Sequence, residues 1–230
     1  MNPDPAPRVC ALIPAYNEAA HVAEVVARLR QHVADVVVVD DGSDDGTAEA
    51  SERAGARCLR LERNRGKGRA IRAGLAEVLH SACTHVLLMD ADGQHRPEDV
   101  PRLLDCAAET GADLVIGSRP FCRERMPVSR YFSNTVGSRV TSWLVGRRID
   151  DSQSGFRLVR ADRLRGLSLS GRKYEIEMEM LIKLCRDGAT VAHAPVEIVY
   201  PDGEVRSKMR PVRDTVRICL QSLAYRYLGW

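Results

Sequence analysis

Apolar residues in this chain fall into short solid runs, each ending in a polar turn, separated by longer stretches in which apolar positions recur every third or fourth residue. The runs at 9–13, 36–39, 58–61, 86–89 and 114–117 read as buried strands. Pro14 is predicted to close the first. Asn17 and Glu18 should then open a helix with Val22, Val25, Val26, Leu29 and Val33 on one face. Further helices are predicted from Thr47, from the NRGKGRAIRAGL segment with Ile71, Leu75 and Val78 inward, and from Pro97, where proline suits a first turn. Beyond Ser118 the pattern loosens into a loop with Arg119, Arg123, Glu124 and Arg125. A helix over 130–145, a loop DDSQSGFRLV entering a strand, a helix over 174–185 and a strand over 191–200 interrupted by Pro195 follow. Strands alternating with helices at this pitch predict βαβ units in an α/β fold: a doubly wound, mostly parallel sheet flanked by helices.

The chemistry collects where strands stop. The run at 86–89 ends in Asp90, Ala91, Asp92, Gly93 and Gln94; the four valines at 36–39 end in Asp40 and Asp41; the first run ends in Pro14, Ala15, Tyr16, Asn17 and Glu18. In an open α/β sheet the ligand crevice lies beyond the carboxyl ends of the strands, so three parallel neighbours would bring these turns to one edge. Two carboxylates with a neutral amide oxygen suit a hard divalent cation that keeps positions open for phosphate oxygens. A nucleotide fits the same edge, with Tyr16 facing a base, Asp41 accepting from a base NH or ribose hydroxyl, and a metal on Asp92 holding a diphosphate. Each turn taken alone also fits an ordinary polar strand end that caps the next helix.

Composition narrows the class. With 44% hydrophobic and 28% charged residues, the 230-residue chain reads as one sizeable globular domain. A net charge of +3 without aromatic-rich basic segments does not point to nucleic acid. The seven cysteines are scattered with no Cys-x-x-Cys pair, as expected of core residues in a reducing compartment. MNPDPAPR has no signal-peptide core, and no apolar run approaches the ~20 residues of a membrane span.

IPAYNE, VDDGSDDGT, NRGKGRAIRAGL, MDADGQHRPED, GSR and DSQSGFR occur in this order between residues 13 and 157. Together they resemble a family 2 glycosyltransferase of the GT-A fold, nearest to the dolichol-phosphate or polyprenyl-phosphate mannosyltransferases. The resemblance implies a GT-A nucleotide-diphospho-sugar transferase domain over residues 9–208, between a tail at 1–8 and an amphipathic helix at 209–230. It implies a nucleotide-sugar pocket lined by Pro14, Tyr16, Glu18, Val39, Asp41, Asp90, Ala91 and Asp92. The metal, Mg2+ or Mn2+, falls to Asp90, Asp92 and Gln94. Arg119, Arg206 and Lys208 are placed near the acceptor phosphate, Asp151 and Gln153 on the acceptor side, and Asp92, Arg119 and Asp151 carry the catalytic roles. The implied reaction is inverting transfer of a sugar, with GDP-mannose as first choice and UDP-glucose or UDP-N-acetylglucosamine as alternatives.

A polyprenyl phosphate carries ~1.5–2 negative charges at neutral pH and needs cations to position it more than a base. A hydroxyl acceptor would need a base, for which Asp151 is the candidate. The segment at 210–230 has an apolar stripe, four arginines and terminal aromatics, a pattern shared by membrane-interfacial helices and by helices packed on a domain. The expected setting is therefore cytoplasmic and peripheral to a membrane, with an anchoring partner protein as a further option. Two other readings use the same motif. A haloacid-dehalogenase-type phosphatase would make Asp90 a nucleophile, although Gln94 stands where that signature continues with Thr or Val. A non-catalytic sugar-nucleotide-binding relative would preserve the acidic turns without turnover.

Overall fold

The computed structural model describes residues 7–119 and 128–199. A seven-stranded sheet lies at its centre, built from β1 (Val9–Ala15), β2 (Asp35–Asp40), β3 (Arg57–Arg60), β4 (His85–Leu88), β5 (Leu114–Ser118), β6 (Arg157–Arg160) and β7 (Val191–Pro195). Their order is β3-β2-β1-β4-β6-β5-β7, with β6 antiparallel to both neighbours and the other pairings parallel. Helices α1 (Val22–Leu29), α2 (Thr47–Arg53), α3 (Lys67–Val78), α4 (Val100–Thr110), α5 (Val128–Val145), α6 (Ala161–Leu164) and α7 (Glu175–Arg186) cover it.

Strand alternation sorts the core into two layers. Leu12, Val37, Val39, Val86 and Leu88 pack with Ile71, Leu75 and Val78 of α3 and with Ile176 and Met180 of α7. Ala11, Ile13, Val36, Val38 and Leu87 pack on the other face with Val22, Val26 and Leu29 of α1 and Leu103 of α4. The expected doubly wound, mostly parallel α/β sheet is what the chain forms.

Three boundaries differ from expectation, each for a local reason. β1 runs through Pro14 to Ala15, pairing Pro14 with Val39 and Ala15 with Asp40, whereas its pairing with β4 ends at Leu12. Beyond Leu12 one side of β1 carries no ladder, so a residue without an N–H is tolerated there. Helix α1 begins at Val22 rather than near Asn17. Asn17 takes a left-handed conformation, φ 52°, and its N–H goes to Ser43 Oγ; the Glu18 N–H goes to Thr47 Oγ1. Those side chains from the second turn claim the N–H groups of the first, and the chain stays non-helical until Glu18 O accepts the His21 and Val22 N–H groups. β7 stops at Pro195; the next residues cross the carboxyl edge, with Val199 N–H on Gln94 O and Glu197 N–H on Asp99 Oδ2.

Candidate active site

Because β2, β1 and β4 are adjacent and parallel, their acidic turns do meet at one edge, and the first two are knitted together. Besides the bonds above, Ala19 N–H reaches Asp45 Oδ2 at 3.0 Å and Asp41 N–H reaches Ala15 O at 2.8 Å. Tyr16 stands at this edge, 39% exposed. Glu18 and Asp92 are partly exposed beside it.

Several residues expected to line a nucleotide have buried side chains. Val39 is fully buried with its side chain toward α3, because strand alternation turns Val37 and Val39 to that face. Pro14 and Ala91 are also buried, so only their backbones can meet a ligand. Asp41 is buried, and its oxygens accept the Arg65 N–H at 3.0 Å and the Gly66 N–H at 2.7 Å. It thereby holds the basic turn that opens α3, where Gly66 adopts φ 95°, a conformation that favours glycine. Asp40 likewise accepts the Ser43 N–H and hydroxyl.

That turn delivers Lys67, a residue to which the sequence assigned no role. Its Nζ lies 2.5 Å from Asp90 Oδ1 and 2.9 Å from Glu177 Oε1. Burial works against its charge, but the two carboxylates outweigh burial and hold Lys67 above the usual lysine range. Burial would raise Asp90 too, yet Lys67 keeps it below the carboxylate norm; Glu177 is raised, by burial first, with Asp90 adding to it. A single ammonium does not neutralise two carboxylates equally, and the nearer one keeps its charge. Beneath them Arg157 is fully buried, donating to the Ser154, Glu177 and Ser152 carbonyls. Gly155 lets this loop approach: a Cβ there would stand 2.5 Å from Asp90 Oδ2. Asp90, expected as a metal ligand, therefore faces Lys67 with one oxygen and Gly155 with the other.

Asp92 differs. One oxygen accepts the Gln94 N–H at 3.0 Å, and burial together with the Asp90 carboxylate pushes its pKa up to about 6. Among the described residues no group of three or more His, Cys, Asp or Glu side chains is arranged around a cation position. The donor set nevertheless suits a hard cation. Asp92 is a partly exposed carboxylate short of positive charge, next to Gln94, and ligand phosphate oxygens would complete the shell.

On the far side of β4, Arg119 follows β5 and Asp151 precedes β6. The guanidinium grips the carboxylate through Nε and through Nη2, the latter at 2.8 Å, and the Arg119 backbone N–H adds a third bond. Asp151 has no exposure at all, and Arg119 overcomes burial to hold it below the usual range. As the base considered for a hydroxyl acceptor it is unsuited, being inaccessible, ion-paired and weakly basic. What it does is orient Arg119. Gln153 is partly buried, with its N–H on Asp151 Oδ1. Between the two halves sits His95, its ring 5.3 Å from that of Phe156 and its Nδ1 buried without a hydrogen bond. Burial first, and then the Arg119 charge, lower its pKa to about 4, so it is neutral at physiological pH.

Arg206, Lys208 and the 209–230 segment lie outside the described residues, as do Arg123, Glu124 and Arg125. Among the described residues no helix is long and apolar enough to cross a membrane.

With this geometry in place, comparison with known proteins is informative. The family model for glycosyl transferase family 2 matches residues 10–162. Undecaprenyl-phosphate mannosyltransferase of Micrococcus luteus is 36% identical over 205 residues, 84% of each chain. UDP-N-acetylglucosamine–dolichyl-phosphate N-acetylglucosaminyltransferase of Methanococcus voltae is 30% identical over 214 residues, 83% of this chain and 85% of its own. Among solved structures, glucosyl-3-phosphoglycerate synthase from Mycobacterium tuberculosis in complex with Mn2+, UDP and phosphoglyceric acid aligns with a TM-score of 0.72 at 20% identity. That alignment covers 96% of this chain and 78% of the synthase, a likeness of fold.

Proposed function

Since this chain belongs to glycosyl transferase family 2, we propose that it moves a hexose from a nucleoside diphosphate sugar to a polyprenyl phosphate, with mannose from GDP-mannose as the preferred donor. The observation that carries the reading is the pairing at one sheet edge of a cation-poor carboxylate, Asp92, with an arginine held ready on a buried carboxylate, Arg119 on Asp151. Asp92 and Gln94 would hold a divalent cation, Mg2+ or Mn2+, which when bound offsets the charge building on the departing diphosphate. Tyr16 offers a face for the base, and the backbone around Pro14, Asp40 and Ala91 a floor for the nucleoside.

Arg119 binds the acceptor phosphate, helped by Arg206 and Lys208 of the basic segment that follows β7. An acceptor phosphate oxygen attacks the anomeric carbon, the bond from that carbon to the diphosphate oxygen breaks, and its electron pair leaves with the nucleoside diphosphate. The acceptor is already ionised, so no side chain has to take a proton. The Asp151 carboxylate beside Arg119 is buried and ion-paired, which suits such an acceptor and disfavours a sugar hydroxyl. Displacement from the opposite face inverts the anomeric centre.

The N-acetylglucosaminyl activity in the Methanococcus voltae relative's name supports a second donor, UDP-N-acetylglucosamine. Both donors, radiolabelled, are tested in parallel against a short-chain polyprenyl phosphate with Mg2+, Mn2+ or chelator. Label entering the organic phase from GDP-mannose alone, and only with metal, is the expected result. Transfer from the UDP-sugar alone would replace the donor assignment, and label reaching only water-soluble products would overturn the lipid acceptor.

A further inference from the structure

The basic turn that opens α3 differs from the rest of the surface in how its charges are paired. From Arg63 to Ala76 the chain carries Arg63, Arg65, Lys67, Arg69 and Arg72 and no acid, although the whole chain nets only +3. Lys67 is held by Asp90 and Glu177, and Arg72 donates to the Gly171 carbonyl at 2.5 Å. Arg63, Arg65 and Arg69 are exposed, as are Arg172 and Lys173 on the loop that leads into α7. Among the described residues none of these exposed five forms an ion pair. Elsewhere surface arginines pair with carboxylates: Arg28 with Glu24 and Glu98, Arg57 with Asp35 and Glu77, Arg160 with Asp162.

The fold brings these like charges together and holds them there. The Gly68 N–H donates to Arg172 O at 3.0 Å, and glycine is what lets the two loops meet: a Cβ on Gly68 would stand 2.3 Å from Gly171 O. Behind them Glu179, which has no exposure, accepts the Ser170 and Gly171 N–H groups at 3.0 and 2.7 Å. None of these three bonds uses a cationic side chain, so the cluster is assembled by backbone and a buried acid while its own charges repel. Arg69, in a first turn of α3 that contains no acid, also opposes the helix dipole. A surface built against both effects marks a place where an anion approaches.

Position identifies which anion. The Arg65 and Gly66 N–H groups sit on Asp41, and Lys67 sits on Asp90, so the rim borders the half of the sheet edge that carries Tyr16 and Asp92. Arg119 and Asp151 lie beyond β4, on the other half. The turns of β1 and β2 present acids to that same half: Glu18 is partly exposed, and Asp44 and Asp45 are exposed. A nucleoside diphosphate sugar is anionic, so these acids repel it while the rim attracts it. Glu62 is the exposed acid adjoining the rim, and five cations leave the rim net positive against it. Such a field reaches about 8–10 Å at physiological ionic strength, enough to act on a ligand before it touches the site.

We propose that Arg63, Arg65, Arg69, Arg172 and Lys173 form a capture rim for the anionic donor. Their combined field draws the diphosphate end along the α3–α7 side of the edge and raises the association rate, and none of the five touches the reacting atoms. The proposal deepens the glycosyl-transfer reading, on which it rests for the identity of the anion. Because the rim senses charge and not a hydrogen-bond pattern, it serves a guanine and a uracil nucleotide alike and leaves the choice of base to the turns of β1 and β2.

The test is stopped-flow association of fluorescently labelled GDP and UDP with the full chain in Mg2+, without acceptor. It is run at ~0.02 M and ~0.5 M salt, between which the screening length falls from roughly 20 Å to about 4 Å. Arg69→Glu with Lys173→Glu should slow association of both nucleotides about tenfold at the low salt and less than about twofold at the high. Arg69→Gln with Lys173→Gln should give about a threefold loss with the same salt dependence, and it stands in if charge reversal alters the circular dichroism spectrum. Arg8→Glu with Arg53→Glu makes the same change of net charge at exposed positions before β1 and at the end of α2, toward the opposite edge, and should change the rate less than about twofold. A loss that persists at ~0.5 M salt, or that falls on one nucleotide alone, would make the rim a contact site and overturn capture by its field. An equal loss in the Arg8 and Arg53 variant would assign the effect to net charge and overturn it as well. Wild-type binding that both rim variants leave unchanged would sink the inference alone, whereas a wild-type chain that binds neither nucleotide would sink the donor reading and the inference with it.

Discussion

Two carboxylates at the same sheet edge are perturbed in opposite directions. Asp92, on the turn after β4, is pushed up to about 6 by burial and by the adjacent Asp90. Asp151 is the more deeply buried, yet Arg119 outweighs burial and holds it below the usual range. Burial alone would raise both; contact with a fixed cation decides the sign. The Asp151 side carries its own counter-charge and is complete as folded. The Asp92 side is short of positive charge and, in the proposed reading, is completed by what it binds. One side presents a fixed arginine, and the other a carboxylate to which the proposed function assigns a cation and the anion that accompanies it.

Asp90 belongs with Asp151 only through Lys67, so removing that lysine is the strongest way to break the contrast. Lys67→Met leaves Asp90 and Glu177 facing each other unneutralised and should cost about 3–5 kcal/mol of stability in urea denaturation, with loss of transfer. Adding Glu177→Gln should recover part of the stability. A single variant within about 1 kcal/mol of wild type would show that the Lys67 cluster is not what holds the turn to α7. Next in size is Asp151→Asn. It keeps the shape but loosens Arg119, and a misplacement of ~1 Å in a positioning group costs on the order of 100-fold. That loss should fall on kcat/KM for the lipid phosphate, with donor KM and the shape of the pH profile unchanged. Disappearance of an acidic limb from the profile would instead return Asp151 to the role of base.

The difference between the two sides also separates what the sequence made legible from what it hid. Asp90, Asp92, Asp41 and Glu18 each follow an apolar run within a few residues, and parallel βαβ order then brings their turns together without further information. Arg119 and Asp151 could be placed on the acceptor side only through resemblance, because they are 32 residues apart and meet only when antiparallel β6 inserts between β4 and β5. Lys67 and Glu177 were hidden for a similar reason: they lie 110 positions apart, on the first turns of two helices. A signal was present in EIEMEM, where Glu175, Glu177 and Glu179 alternate with apolar residues. All six of these side chains are buried, so each acid has to find an internal partner. That the Asp41 carboxylate turns to the Arg65 and Gly66 N–H groups and the Val39 side chain to α3 was hidden because a motif gives position along the chain, not the direction in which a side chain points.

The smallest effect tests the cation-poor side without any turnover. A carboxyl whose folded pKa is raised binds its proton more tightly in the native state. Stability tied to Asp92 is therefore fully present below its ordinary value of 3.8 and is lost as pH rises through about 6. Asparagine cannot ionise, so in chelator Asp92→Asn should melt above wild type at pH 7.5, by about 2–4 °C if ~1 kcal/mol is relieved, and level with it near pH 4. Mg2+ or Mn2+ should reverse the order at pH 7.5, because a cation binding the native carboxylate stabilises the wild type and has less to hold in the variant. A variant that melts lower than wild type in chelator at pH 7.5 would mean that Asp92 is already compensated in the metal-free protein. The contrast with Asp151 would then be one of burial alone.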